Sequence, residues 1–245
     1  KLFYRYKIAY FGHYINFNTK NSIFNFLRKF SLIFCSRYYA YNDEVKYHLK
    51  NDGFKNKIIC FNNTVVSYYS KSNPIRKIKS SKNIEFAFIG RNYPHKKIND
   101  ILSLANYAKS KSLDWNFKII TDSDNNLKNQ SENVEIILGI TGKKIYKILK
   151  NTNFIIIPGL VGLVANESFN LGCPIIAFQS KIHSPEFYYL KNGVNSIIIK
   201  KNWEILVSTI MSISKSESYY EDLCKNCLKA SQKYTMKQTV NSFSI

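Results

Sequence analysis

Residues 154–178 read FIIIPGLVGLVANESFNLGCPIIAF and carry the clearest local pattern in the chain. The four consecutive apolar residues 154–157 are typical of a strand that is buried on both faces of a sheet. A proline and a glycine follow, and an amphipathic segment over about 163–171 predicts a helix. A second apolar run, 174–178, predicts another strand. A strand, a helix and a strand joined by short turns indicate a parallel βαβ unit.

The same alternation extends from residue 84 to the end of the chain. Apolar runs predict further strands over 84–89, 117–120, 134–138 and 196–199. Helical periodicity predicts helices over about 97–110, 142–151, 202–213 and 217–233, the second of them capped by Thr141. This order predicts an α/β fold with a complete Rossmann-like parallel sheet. In such sheets, ligands bind beyond the carboxyl ends of the strands.

The first 65 residues show a shorter version of this pattern. Strands are predicted over 7–11, 38–41 and 57–61, with a helix that Asp43 caps. Residues rich in Ser and Lys then indicate a linker. We therefore predict a partial N-terminal α/β domain at 1–65, a linker at 66–82, a Rossmann-like domain at 83–215 and C-terminal helices at 216–245. Because residue 1 is Lys and the first domain is short, we expect the chain to be part of a longer protein.

The chain is strongly basic. Its 245 residues include 36 Lys and Arg but only 16 Asp and Glu, for a formal net charge of +20. Such a charge favours nucleic acid, an anionic membrane surface or phosphorylated ligands. The lysines are scattered, however, and the richness in Lys, Asn, Ile, Phe and Tyr equally fits an AT-rich genome. The charge alone selects no partner, and without a recognition motif we expect no nucleic acid.

The cysteines and the hydropathy indicate a compartment. Five cysteines at irregular spacings do not suggest a disulfide framework, and they fit a reducing cytoplasm. No run of about 18 apolar residues predicts a membrane-spanning helix. We therefore expect a cytoplasmic protein.

One segment near the N-terminus combines aromatic and basic residues. It predicts a helix that carries Ile23, Phe24, Phe26, Leu27 and Phe30 among Lys20, Arg28 and Lys29. One interpretation places the apolar side chains in the core and the basic ones in water. The other places the helix on an anionic membrane surface, at the inner face of the cell membrane.

The glycines after the strand at 154–157 mark a candidate ligand site. Gly159 and Gly162 let a backbone approach a ligand closely, and the free N–H groups of the following helix favour an anion. The alternative is that both glycines only make a tight turn. The sequence contains neither a GxGxxG motif nor a P-loop, so it does not indicate a nicotinamide cofactor or a P-loop nucleotide site.

Charged residues follow the neighbouring predicted strands. Arg91 and Lys96 come after the strand at 84–89 and suit a diphosphate, although in so basic a chain they can equally be surface cations. Glu167 lies early in the helix after Gly162. There a carboxylate can bind a ribose diol or simply pair with the helix dipole. Glu186 follows Pro185 in a loop, where the alternative to a ligand contact is a solvated acid.

Taken together, these residues carry a family resemblance. The series GRxxxxK at 90–96, PGLVGLxxxES at 158–168, GCPIIA at 172–177 and PE at 185–186 resembles the nucleotide-sugar half of GT-B glycosyltransferases of the family 4 type. The likeness covers about residues 84–200. It is strongest to bacterial enzymes of polysaccharide and lipopolysaccharide biosynthesis.

The resemblance implies a retaining transferase that takes a sugar from a nucleoside-diphosphate sugar and needs neither a metal nor a cofactor. It implies that Arg91 and Lys96 bind the diphosphate and stabilise the leaving group. It implies a phosphate contact for Gly162 and Leu163, a ribose contact for Glu167 and a base contact for Gly139 and Ile140. Gly90 and Gly159 belong to the same donor-binding motifs. His13 resembles the strand-end histidine of the acceptor domain, but it can also be structural.

Two departures keep an alternative open. Gly159 stands where the family has the first glutamate of an E-x7-E motif, which concerns the orientation of the donor sugar. The first domain is also shorter than the family's acceptor domain. The sequence therefore predicts a glycosyltransferase that acts on a cell-surface glycan or a lipid-linked acceptor, with a non-catalytic nucleotide-sugar-binding remnant as the alternative.

Overall fold

The computed structural model describes residues 8–12, 14, 22–67, 75–78, 80–125, 127, 131–180 and 183–243, with only the backbone at 22, 24 and 25. The chain forms two compact units. Residues up to 65 form the smaller unit together with 234–245, and residues 66–233 form the larger one. His13 and Lys20, and the side chain of Phe24, lie outside the described part.

The smaller unit is built on a three-stranded parallel sheet. Its strands are β1 (Ile8–Gly12), β2 (Cys35–Ala40) and β3 (Lys57–Cys60), in the order β1-β2-β3. Two helices, α1 (Ser22–Ser31) and α2 (Asp43–Asn51), connect the strands. One face of the sheet packs into a core that is made by Tyr14, Leu32, Cys35, Tyr38, Ala40, Val45 and Leu49.

The apolar side of α1 faces outward. Arg28 donates a hydrogen bond to the carbonyl oxygen of Tyr14 at 2.6 Å, and Lys29 forms an ion pair with Asp52 at 2.8 Å. These contacts turn the basic side of the helix toward its own unit. The core interpretation of the helix is therefore wrong for its described apolar side chains, which are more than half exposed: Ile23, Phe26, Leu27 and Phe30.

The larger unit contains a six-stranded parallel sheet. Its strands are β4 (Asn83–Ile89), β5 (Asp114–Thr121), β6 (Val134–Leu138), β7 (Phe154–Ile157), β8 (Ile175–Phe178) and β9 (Ser196–Ile199), in the order β6-β5-β4-β7-β8-β9. The strand order reverses between β4 and β7, which is the position where open sheets of this kind bind ligands. The expected Rossmann-like fold class, with a second small parallel sheet, is confirmed.

Helices follow most of the strands of this unit. They are α3 (Asn99–Ser110), α4 (Lys143–Ile148), α5 (Val164–Leu171), α6 (Trp203–Ser214) and α7 (Glu217–Ser231). All residues of β7 and β8 are buried, as their apolar sequences require. β5 begins three residues before its predicted start, because its first half alternates exposed polar and buried aromatic residues.

Two helix starts differ from the predictions. Asn42, not Asp43, caps α2, since its side chain accepts a hydrogen bond from the Val45 amide at 2.9 Å. Gly142, not Thr141, is the cap position of α4, where the backbone takes a φ of +59°. Such a φ favours glycine over residues with a Cβ.

A last helix, α8 (Met236–Phe243), returns to the smaller unit. Phe243 stacks on Tyr39 with 4.7 Å between ring centroids. The Thr64 hydroxyl donates to the carbonyl oxygen of Tyr234 at 2.6 Å, and the Thr239 hydroxyl to that of Asn62 at 3.1 Å. The N-terminal and C-terminal segments of this unit, which are far apart in sequence, are therefore joined by direct contacts.

Arg76 anchors the segment that leads into the larger unit. Its guanidinium donates hydrogen bonds to four carbonyl oxygens near the ends of α4 and α5, those of Leu149, Lys150, Thr152 and Leu171. The last carbonyls of a helix lack partners within the helix, and a cation there also offsets the helix dipole. In the described part of the chain, no helix combines the length and the hydrophobicity that crossing a membrane requires.

Candidate functional site

The candidate site lies where the loops after β4 and β7 meet. These strands are neighbours in the sheet, with Phe86 opposite Phe154. Parallel neighbours end at the same edge, so the loop of residues 90–98 and the turn of residues 158–163 start side by side. The site thus lies at the reversal of the strand order.

Gly159 allows the two loops to touch. The Leu160 amide donates a hydrogen bond to the carbonyl oxygen of His95 at 2.9 Å. A Cβ on residue 159 would lie 2.8 Å from the carbonyl carbon of Lys96 and 2.9 Å from that of His95, and closer still to the His95 oxygen. No side chain fits this space. Gly159 therefore does more than make a tight turn, and the local packing accounts for the missing glutamate.

Lys96 lies against the glycine turn. Its ammonium donates a hydrogen bond to the carbonyl oxygen of Leu160 at 2.7 Å. A Cβ on Gly162 would be 3.6 Å from the ammonium nitrogen, and one on Gly90 would be 3.8 Å from Cε of the same side chain. Burial lowers the pKa of Lys96, and the nearby Glu186 opposes this effect. The structure thus brings together Gly90, Lys96, Gly159 and Gly162.

Arg91 lies on the same loop but has a different contact. Its side chain is exposed, and its guanidinium donates to the Tyr93 hydroxyl at 3.2 Å. This hydrogen bond raises the pKa of Arg91. The neighbouring Asn92 fixes the loop, because its amide donates to Asp122 at 2.7 Å. In the described structure, Arg91 makes its contact along its own loop and not with the glycine turn.

Glu167 is held by a residue that the sequence analysis does not identify. Its carboxylate accepts a hydrogen bond from the hydroxyl of Tyr146, which lies on α4. Burial raises the pKa of Glu167, and the hydrogen bond from Tyr146 opposes this shift. No local pattern signals the pair, because its members are 21 residues apart and lie on different helices.

The remaining predicted donor residues flank these groups. Gly139 follows β6 with a φ of +66°, and its amide donates to the carbonyl oxygen of Thr121 at 3.2 Å. Ile140 is partly buried just before α4, and Leu163 is exposed at the start of α5. The predicted acceptor-side histidine, His13, lies outside the described residues.

Glu186 is not solvated. It lies in the helical turn Pro185–Tyr189 and is only 4% exposed. The Ser184 hydroxyl next to this turn donates to the carbonyl oxygen of Val161, so the loop after β8 also contacts the glycine turn. A buried carboxylate that acts on a partly buried ammonium is an electrostatic feature that the sequence pattern does not reveal.

Among the described residues, no group of three or more His, Cys, Asp or Glu side chains is arranged to hold a metal ion. All five cysteines are free thiols, and four of them are buried. Burial raises the pKa of Cys173 to about 11 and that of Cys224 to about 12, so both stay protonated.

Three solved structures illustrate the fold. The first is an S. aureus TarM mutant in complex with fondaparinux, alpha-GlcNAc-glycerol and UDP, with 14% identity and a TM-score of 0.73 over 97% of this chain and 50% of TarM. The second is the pneumococcal O-GlcNAc transferase GtfA with UDP and GlcNAc, with 12% identity and a TM-score of 0.73 over 97% of this chain and 51% of GtfA. Anabaena HepE with UDP has 15% identity and a TM-score of 0.71, over 98% of this chain and 71% of HepE.

The chain thus spans about half the length of TarM and GtfA. No curated protein matches its sequence significantly. The family profile described as Glycosyl transferases group 1 matches residues 70–233, which is well over half of the chain. These residues include the loops after β4 and β7 and both helices of the Tyr146–Glu167 pair. The chain belongs to the group 1 glycosyl transferases.

Proposed function

We propose that this chain binds a nucleoside-diphosphate sugar in its larger unit and transfers the sugar, with retention of configuration, to a glycan or lipid-linked acceptor. The observation that carries the proposal is the position of the Lys96 ammonium, 2.7 Å from the Leu160 carbonyl oxygen inside the glycine turn. UDP in the TarM, GtfA and HepE structures supports UDP as the nucleotide.

The proposed chemistry depends on charge. The bond between the anomeric carbon and the diphosphate oxygen breaks, and its electron pair leaves with the diphosphate. The acceptor oxygen bonds to the anomeric carbon on the same face, and the acceptor proton passes to the departing phosphate. Lys96 and the amides of Leu163 and Val164, at the N-terminal end of α5, stabilise the growing negative charge. Arg91 supplies a second cation from the exposed part of the loop.

Binding can be tested with UDP, ADP and GDP as probes in isothermal titration calorimetry. We expect the wild-type chain to bind at least one of them and Lys96→Ala to bind it at least about tenfold more weakly. Lys109→Ala is the matched control, because it removes one positive charge from an exposed ion pair with Glu132. Failure of the wild-type chain to bind any probe, or undiminished binding by Lys96→Ala, contradicts the proposal.

Transfer is tested separately from binding. Donor hydrolysis or transfer by the wild-type chain, monitored as UDP release from a UDP-sugar, supports an enzyme. Binding without any release of UDP favours the alternative, a non-catalytic nucleotide-sugar-binding protein. The absence of space for a carboxylate at Gly159 is the specific observation behind that alternative.

We also propose that α1 attaches the chain to an anionic membrane surface, where a lipid-linked acceptor is available. Ile23, Phe26, Leu27 and Phe30 are exposed along one side of this helix, and Ile33 and Phe34 extend the apolar surface. Residues 1–65 and 234–245 contain twelve Lys and Arg but only three Asp and Glu. An exposed aromatic surface within a basic unit complements an anionic bilayer interface.

Cosedimentation with vesicles tests this attachment. We expect binding to vesicles of phosphatidylglycerol and phosphatidylethanolamine, weak binding to phosphatidylcholine vesicles, and loss of binding in Phe26→Gln/Leu27→Gln. The control Tyr219→Gln changes an exposed aromatic residue of the larger unit. Vesicle binding by the double variant that equals binding by the wild type contradicts the proposal. A concentration-dependent dimer of the wild type that the double variant abolishes and Tyr219→Gln does not also contradicts it, because the apolar surface would then bind a second copy of the chain.

A further inference from the structure

The hydrogen bond between Tyr146 and Glu167 joins two parts of the candidate site. Tyr146 is only 8% exposed, and its hydroxyl reaches one carboxylate oxygen, Oε2. Among the described residues, the other carboxylate oxygen has no protein partner, which leaves it for a ligand. The tyrosine thus restrains the carboxylate without using up both of its oxygens.

The loop that is predicted to contact the base, residues 139–140, leads directly into α4, the helix on which Tyr146 lies. Gly139 and Gly142 both take positive φ values directly before α4, and Tyr146 follows in the first turns of this helix. The Gly142 carbonyl oxygen accepts a hydrogen bond from the Ile145 amide at 3.1 Å. A short connection of a few residues therefore links residues 139–140 to the tyrosine that contacts Glu167.

We propose that Tyr146 is a positioning residue for nucleotide binding, which orients the Glu167 carboxylate toward a ribose diol and couples it to the base loop at residues 139–140. The inference rests on the proposed function, since it assigns a task within the same site. Tyr146 acts through Glu167 and does not itself touch the nucleotide.

Two physical effects support this task. A carboxylate that is free to rotate must be ordered when a ligand binds, and ordering a side chain costs conformational entropy. The hydrogen bond from Tyr146 removes part of that cost in advance. A hydrogen bond to the charged form also favours ionisation, and burial opposes ionisation at this position. Within the described structure, burial and Tyr146 are the two influences on the pKa of Glu167.

The test compares two tyrosine variants that each lose one buried hydroxyl. Tyr146→Phe loses the hydrogen bond to Glu167. Tyr220→Phe, the matched control, loses a hydrogen bond of 2.7 Å to the carbonyl oxygen of Asn153. Asn153 lies just before β7, at the end of this strand that is opposite to the candidate site. We expect Tyr146→Phe to bind UDP about tenfold more weakly than the wild type, and Tyr220→Phe to bind within about twofold of it. ADP and GDP serve as parallel probes.

A double-mutant cycle separates positioning from general structural damage. We expect Tyr146→Phe to have less than about a twofold effect in a Glu167→Ala background, because the side chain through which it acts is then absent. The pH dependence gives a second readout. As the pH falls, Glu167 becomes protonated and nucleotide binding should weaken. This loss should begin at a higher pH for Tyr146→Phe than for the wild type, because the pKa of Glu167 rises further without the hydrogen bond. Glu167→Gln should lack this dependence.

Each outcome is decisive. If the wild type binds none of the three nucleotides, both this inference and the proposed function fail. If the wild type binds but Tyr146→Phe binds equally well, only the positioning role fails. An equal loss in the wild-type and Glu167→Ala backgrounds also overturns it. If Tyr146→Phe unfolds below the assay temperature, the test uses the pH dependence of nucleotide binding by the other two proteins. The inference is then overturned if the wild type and Glu167→Gln show the same pH dependence.

Discussion

The carbonyl group of His95 occupies the space that a side chain on Gly159 would need. The Leu160 amide closes the contact with a hydrogen bond of 2.9 Å to the same carbonyl oxygen. The loops after two neighbouring strands are therefore joined backbone to backbone. The ammonium of Lys96 is directed into the turn by this contact.

We expect Gly159→Ala to destabilise the larger unit by about 1–3 kcal/mol, because a Cβ forces the two backbones apart. Gly162→Ala is the control: its Cβ would make an ordinary contact of 3.6 Å with the Lys96 ammonium, and we expect a change of less than about 1 kcal/mol. Both tryptophans, Trp115 and Trp203, lie in the larger unit, so urea unfolding followed by tryptophan fluorescence measures the effect. Equal stabilities of the two variants would contradict the packing argument. For the same reason, Gly159→Glu should not improve transfer.

The second prediction concerns Arg76, which satisfies four carbonyl oxygens. Arg76→Met keeps most of the aliphatic stem but leaves these acceptors without their charged donor. We expect a loss of about 2–4 kcal/mol in the free energy of unfolding of the larger unit. Lys77→Met removes an adjacent exposed cation that pairs with Glu217, and we expect no measurable change in stability. Similar values for the two variants, measured by urea unfolding, would show that Arg76 is not an anchor.

The third prediction concerns alkaline pH. Burial lowers the pKa of Lys96, so its charge is lost at a lower pH than that of an exposed lysine, and nucleotide affinity should fall as the pH rises. Glu186 favours the charged form, so Glu186→Gln should move this loss of affinity to a lower pH. Calorimetric titrations between about pH 7 and pH 10 measure the shift. The control Glu132→Gln removes an exposed acid that pairs with Lys109, and an identical shift in that variant would rule out a local effect.

The fourth prediction concerns the start of α2. Asn42→Ala removes the side-chain acceptor of the Val45 amide, which we expect to cost about 1 kcal/mol. Hydrogen exchange of that amide should become about fivefold faster. Asp43→Ala removes a favourable charge in the first turn and the acceptor of the Cys60 thiol, but it leaves the acceptor of the Val45 amide in place and should affect this amide less. If Asp43→Ala exposes the Val45 amide more than Asn42→Ala does, Asp43 is the cap after all.

The sequence predicts the parallel sheet well because its strands are short and almost wholly apolar. The bounds of β6, β7 and β9 agree with the predictions, since each apolar run ends at a polar residue or a turn. The start of β5 is missed because Asp114 and Asn116 face water within the strand. Helix α8 lies within the C-terminal helical region predicted at 216–245, but the sequence does not reveal its contacts with Tyr39 and Phe61, because these residues are far away along the chain.

The candidate site is predictable only in part. The meeting of Lys96 with the glycine turn follows from the strand order, because neighbouring parallel strands end together. The burial of Glu186 and its electrostatic effect on the pKa of Lys96 depend on how the loop after β8 folds, which has no local signature. Tyr146 is hidden for the same reason, as its contact with Glu167 depends on the packing of two helices.

Because α8 completes the smaller unit, the polypeptide passes from one unit to the other twice, near residues 65–66 and 233–234. The larger unit is therefore inserted within the sequence of the smaller one. Helix α8 is a part of the smaller unit and not a dispensable C-terminal extension. An exchange of the larger unit between relatives must therefore preserve both junctions. A chimera that is joined at only one of these junctions would combine α8 from one parent with the three-stranded sheet of the other. Phe243 would then face the other parent's residues at the positions of Tyr39 and Phe61.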